Sequence, residues 1–391
     1  MAAAQHDAVR DGQAAMALRL TKDASAAAAA GKNIAFSPVS IHAGLALAAA
    51  GAGGATQAQL LTFLGAPTED ALAAFWRRVS ELVLADRADS SGGPRVLFGG
   101  GARTVSFTNK PKEALEMINS WDKKATNELI ESIFSRDDIT ADTDLVLANA
   151  VYFKGQVGRS FHRLDGSHVQ ANFMSKYASM YVSCMDGFKV LKLPYKKGHA
   201  KAAAVPQPPV KRPRGRPSNA AKKLSSDGDA LSATQFSMFV FLPDKRDGVA
   251  TMVDVITTSP GYLYSVLPSE TKFVHVELPK FEISFSWDDF RGDLQRLGLS
   301  LLFSPEVADL RGMFAKNDGQ PTFLSKVAHK AVVKVNEQGT EAAAVYGSIT
   351  GGGTPPDMVE FVADHPFTFL ILEELSGVIV FAGHVMDPTS K

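Results

Sequence analysis

Apolar residues recur at helical spacing over residues 14–30, 41–50, 69–85 and 112–130, which predicts four helices, the first two separated by a break at Ser37 and Pro38. From residue 145 the pattern changes to short β-branched and aromatic runs. These predict strands at 145–153, 188–193, 236–242, 273–285, 331–335, 367–373 and 378–385, the last two forming a hairpin turned through 374–377. Helices early, strands late and no regular βα alternation argue for an α+β fold rather than a doubly wound sheet.

One stretch changes character partway. Residues 331–335 alternate as a strand should, Gly339 supplies a backbone hinge, and Thr340, Ala342, Ala343 and Ala344 follow. Small side chains of this kind can slide between two existing strands with little steric cost. Alanine is also the best helix former, so a short helix is the alternative reading.

The run Glu337, Gln338, Gly339, Thr340, Glu341, Ala342, Ala343, Ala344 resembles the proximal hinge of the serpin family. Residues 357–367, ending in Asp364, His365, Pro366 and Phe367, resemble the segment after the serpin reactive loop in its plant form. Residues 33–41, 147–155 and 190–195 match further serpin segments, so the resemblance covers nearly the whole chain. It implies a single domain over 1–391 with three β-sheets, a helical cap and an exposed reactive-centre loop at 337–361. The implied function is suicide inhibition of a serine or cysteine protease: the target acylates on the loop, and the cut loop inserts into the central sheet and distorts the protease. The inward-turning positions Thr340, Ala342 and Ala344 must then be small.

The resemblance also assigns roles. Counting along the family register places the reactive bond between Gly353 and Thr354. Ser37, Asn149 and His329 match the buried polar network beneath the central sheet, which sets how easily that sheet opens. Lys280 and Glu337 match an ion pair at the top of the same sheet, a gating contact where the loop first inserts.

Several features depart from the family. Between residues 98 and 105 only a glycine-rich join stands where serpins carry a strand, a helix and the start of another strand, so a central strand is expected to be truncated and its covering helix missing, unless the gene model is faulty. Tyr346, next in the inward series, is far larger than the small residue expected there, Val157 stands where a tryptophan is usual, and a glycine at the bait position gives a protease pocket nothing to grip. A serpin-fold protein that has lost inhibition and serves as a binding or DNA-associated module is therefore the competing reading.

Residues 196–235 interrupt an expected hairpin with Pro-rich, basic sequence, read as a disordered surface insertion. Within it Lys211, Arg212, Pro213, Arg214, Gly215, Arg216 and Pro217 resemble an AT-hook. Arg214, Gly215 and Arg216 could lie along the minor groove of A·T-rich DNA. Lys211, Arg212, Lys222 and Lys223 also read as a bipartite nuclear import signal, and a solvated basic linker is the plain alternative.

Charge adds little: 41 basic and 41 acidic residues cancel, so no strong field selects a partner. Cys184, the single cysteine, cannot form an internal disulfide, and a buried, inert thiol is expected. The N-terminal sequence lacks the order of a secretory signal and no stretch spans a bilayer, which favours a protein kept inside the cell, in the cytoplasm, the nucleus or both; a monomer with no membrane partner is expected. The nine histidines are scattered without ligand spacing and no phosphate loop or nucleophile motif occurs, so no enzyme, metal or cofactor is expected.

Overall fold

The structure, a computed structural model, describes residues 2–28, 30–83, 112–113, 115–117, 120, 146–147, 159–195, 235–313, 322–335 and 357–390. Its centre is an eight-stranded sheet in the order β1-β14-β13-β7-β6-β5-β8-β12. The strands are β1 (Ile34–Phe36), β5 (Phe173–Met185), β6 (Phe188–Pro194), β7 (Phe236–Pro243), β8 (Thr271–Pro279), β12 (Val359–Val362), β13 (Phe367–Glu373) and β14 (Ile379–Val385). Strands β7, β13 and β14 are buried along their whole lengths. They therefore read as continuous apolar runs rather than alternating ones, and that is why the sequence pattern found all three.

The expected hairpin between the last two strands is present. The turn closes with Glu373 N–H donating to Val378 O at 3.0 Å and with Gly377 at a φ of 70°, a conformation that suits glycine. The β6–β7 hairpin is present too, paired from Phe188 with Pro243 to Pro194 with Ser237. The insertion leaves and returns at one neck: Gln235 donates through Nε2 to the carbonyls of Tyr195 and Phe236, both at 2.7 Å. The rest of the insertion, Arg214, Gly215 and Arg216 included, lies outside the described residues, as does the join near residues 98–105.

Helix α1 (Ala2–Ala28) lies on this sheet and begins well before the expected residue 14. Its first turns carry Gln5, His6, Asp7, Arg10 and Asp11, and Val9 is buried at 0% exposure, so packing of one face rather than a clear apolar stripe holds them helical. Gln13 is fully buried and behaves like a piece of strand, donating to Ile379 O at 2.9 Å and accepting from Ile379 N–H at 3.2 Å. Helix α2 (Pro38–Gly51) starts at a proline, suited to a first helical position because its missing N–H would be unsatisfied anyway. Helix α3 (Gly54–Phe63) escaped the sequence reading. Helix α4 (Glu69–Leu82) is capped by Thr68, which accepts from Ala71 N–H, and buries Leu72, Phe75 and Val79 on one face. Residues 112–113, 115–117 and 120 are helical where a helix over 112–130 was expected.

Two expectations need correction. The single strand expected at 273–285 is two strands, β8 and β9 (Phe281–Ser286), divided at Pro279 and Lys280. Proline cannot donate to a ladder, and the chain changes sheet there: β8 lies between β5 and β12, whereas β9 pairs with β11 (Lys330–Val335). Cys184 is exposed, not buried. It shares the inward parity of Met180 and Val182 on β5, but it pairs with Lys189 close to the turn at Asp186 and Gly187, and its side chain stays exposed.

Besides the large sheet, β2 (Val146–Leu147) pairs in parallel with β10 (Lys326–Val327), and β3 (Arg159–His162) pairs with β4 (His168–Ala171). Helices α5 (Val249–Ile256), α6 (Pro260–Val266) and α7 (Phe290–Arg296) fall in the half of the chain read as mostly strand.

Candidate functional site

The chain segment formed by β10, His329 and β11 changes partner partway: β2 lies beside Lys326 and Val327, and β9 lies beside 330–335. His329 sits at the changeover, its carbonyl accepting from Trp287 N–H at 3.0 Å as the chain leaves β9.

The His329 ring is buried at 1% exposure against Trp287 and Phe290, with ring centroids 6.4 and 5.9 Å away. Its Nε2 accepts from the backbone N–H of Ser37 at 3.0 Å. A neutral imidazole that accepts at Nε2 carries its proton on Nδ1, and Nδ1 has no hydrogen-bond partner among the described residues. Burial lowers the ring's pKa from 6.5 to about 3, so it stays neutral.

Ser37 stands between β1 and α2 in extended conformation. It does not cap its helix; its hydroxyl donates instead to Val380 O of β14 at 2.8 Å. Ser37 and His329 thus tie β1, β14 and the β10–β11 segment together, and two of the three expected network residues meet. The third, Asn149, lies outside the described residues.

Lys280 is buried at 6% exposure at the β8–β9 junction, where its N–H donates to Asn172 O at 2.7 Å. Its neighbour Phe281 pairs with Val335, the last residue of β11, so Lys280 lies beside the point where the chain runs on toward Glu337. Glu337, Gly339, Thr340, Glu341, Ala342, Ala343, Ala344, Tyr346, Gly353 and Thr354 lie outside the described residues, as does Val157. The span expected as loop, 337–361, ends inside secondary structure, because Val359–Val362 form β12.

Beyond β12, His365 fixes the chain to the large sheet. Its Nε2 donates to Pro243 O at 2.7 Å, and its Nδ1 lies 2.8 Å from Asp364 Oδ1. The hydrogen bond from His365 holds the Asp364 carboxyl below its usual range, with Arg246 and His162 adding to the effect. Sequence reasoning had quoted His365 only as part of a motif. It missed Trp287, Phe290 and Val380 because their roles depend on which strands adjoin.

The family model described as "Serpin (serine protease inhibitor)" matches residues 11–91, 94–228 and 230–388. "Putative serpin-Z8" of Oryza sativa subsp. japonica is 38% identical over 431 residues, covering 99% of this chain and 98% of the relative. Serpin-ZXA of the same organism is 38% identical over 410 residues, covering 95% and 94%. The native stressed conformation of Arabidopsis AtSerpin1 superposes with a TM-score of 0.75 at 31% identity, covering 97% of this chain and 98% of that one. Uncleaved ovalbumin shares the fold, with a TM-score of 0.73 at 20% identity, covering 97% and 100%. The chain belongs to the serpin family and has the serpin fold. No helix among the described residues is long and apolar enough to cross a membrane.

Proposed function

We propose that this chain inhibits serine or cysteine proteases by loop insertion, with Gly353–Thr354 as the bait bond and Glu337 to Ala344 as the hinge. One observation carries the reading. Strand β11, paired with β9 along its whole length, ends at Val335, so the chain passes directly from a sheet strand into the hinge that begins at Glu337. A hinge that folds back beside β11 would add a strand to this sheet, and its small residues suit the inward positions. Attack on the Gly353 carbonyl would release the Thr354 amine and leave the acyl-enzyme tethered to that new strand.

The bait limits the target. Glycine offers no side chain to a specificity pocket, so a protease accepting small residues is expected. Incubation with such proteases should give mostly cleaved chain and a minor denaturant-resistant covalent complex. Tyr346→Thr combined with Gly353→Arg should raise the complex fraction with a trypsin-like protease. Cleavage with no complex from either protein would overturn the inhibitor reading. It would favour the second reading, suggested by Tyr346 and the glycine bait, of a serpin fold kept as a binding module, with Arg214, Gly215 and Arg216 as its candidate contact to A·T-rich DNA.

A further inference from the structure

Strand β12 is the outer edge of the eight-stranded sheet and begins just after the undescribed residues 336–356. It is four residues long and, among the described residues, pairs on one side only, in parallel with β8, through Val359 with Val274, Glu360 with His275, Phe361 with Val276 and Val362 with Glu277. Short edge strands held by few backbone bonds open readily. Phe361, fully buried, anchors one face of the strand.

The other face is held by a side-chain clip. Glu360 Oε2 lies 2.7 Å from His275 Nδ1. The opposite nitrogen, Nε2, lies 3.4 Å from Oε1 of Glu277 on the same strand as His275. Tyr177, directly across on β5, stacks flat on the imidazole, with centroids 4.1 Å apart and planes 6° apart. Both edges of the ring and one face are therefore engaged, and the His275 side chain is only 13% exposed although Glu360 is 55% exposed.

We propose that His275 is the positioning residue for the C-terminal stem of the reactive loop. Fixed by Tyr177 and Glu277, it holds Glu360 and so keeps β12 on the sheet edge. The inference rests on the loop-insertion reading only for what the stem is used for. The groups facing the ring are Glu277 on β8, Glu360 on β12 and Tyr177 on β5.

Amide hydrogen exchange on the full chain tests this without any protease. Protection over 357–363 should depend on the clip, while protection over 367–373 should not. His275→Gln and Glu360→Gln should each lower protection of 357–363 by about three- to tenfold and leave 367–373 unchanged, and the double variant should be no worse than either single one. Glu360 is exposed, so its variant keeps the fold even if His275→Gln disturbs it. Protection of 357–363 that is unchanged in Glu360→Gln, or a double variant that loses clearly more than either single one, overturns the clip. Because the readout involves no inhibition, its failure leaves the inhibitor reading intact, and failure of that reading leaves the clip intact.

Discussion

The backbone N–H of Ser37 donates to Nε2 of His329 across 3.0 Å, joining residues 292 positions apart. The donor is main chain, so the bond depends on the position of residue 37 and not on its side chain. The serine hydroxyl acts separately, on Val380 O.

Substitution should separate these contributions. Ser37→Ala removes one neutral hydrogen bond and should cost about 1 kcal/mol. His329→Ala leaves the Ser37 N–H buried without its acceptor, a penalty of about 1–3 kcal/mol, and adds a cavity beside Trp287 and Phe290. The two effects should nearly add in the double variant, because the backbone donor survives in Ser37→Ala. Urea unfolding midpoints of the four proteins decide it. A Ser37→Ala cost equal to that of His329→Ala would show that the hydroxyl governs the contact.

Three buried histidines set the acid limit. His42 donates through Nε2 to Leu64 O at 3.1 Å and accepts at Nδ1 from Trp76 at 3.2 Å. His384 donates through Nε2 to Thr21 O at 3.1 Å and lies 2.9 Å from Thr368 Oγ1 at its other nitrogen. Burial lowers both pKa values from 6.5 to about 4, and that of His329 to about 3. Below pH 6.5 the unfolded chain takes up protons that the folded chain refuses. Stability is therefore complete above that pH and lost as pH falls toward about 4, by on the order of 3 kcal/mol per histidine in the limit. Denaturant midpoints measured from neutral pH downward should drop steeply in this window. A flat profile would show that the rings are solvated in the native state.

How much of this was legible follows from where the determining contacts lie. The β13–β14 hairpin was readable because two buried apolar runs flank Gly377, and the β6–β7 pairing was readable across the insertion because each run is apolar in itself. Strand β5 was not, since its outward Tyr177, Ser179 and Tyr181 and inward Met180 and Val182 give a weak contrast in hydropathy. The family motifs located Ser37 and His329 before their contact was seen. Nothing local marked His275, whose partner Glu360 lies 85 residues away and meets it only because β12 returns to β8.

The final prediction concerns cleavage within the loop. Inserting a strand beside β11 would add a hydrogen-bonded ladder and should raise thermal stability, as completing a sheet does. Two features oppose the gain. In the inserted strand Tyr346 would fall at an inward position after Thr340, Ala342 and Ala344, where overpacking costs about 1–3 kcal/mol. The short glycine-rich join near residues 98–105 would deprive the central sheet of a full strand and its covering helix. Limited proteolysis near Gly353 should therefore raise the melting temperature slightly or not at all, while the same cleavage of Tyr346→Thr should give a larger rise. Calorimetry of the four species measures both steps. An equal, large rise in both proteins would mean that the sheet accepts Tyr346 without strain; no rise in either would place the obstacle in the truncated sheet rather than in that side chain.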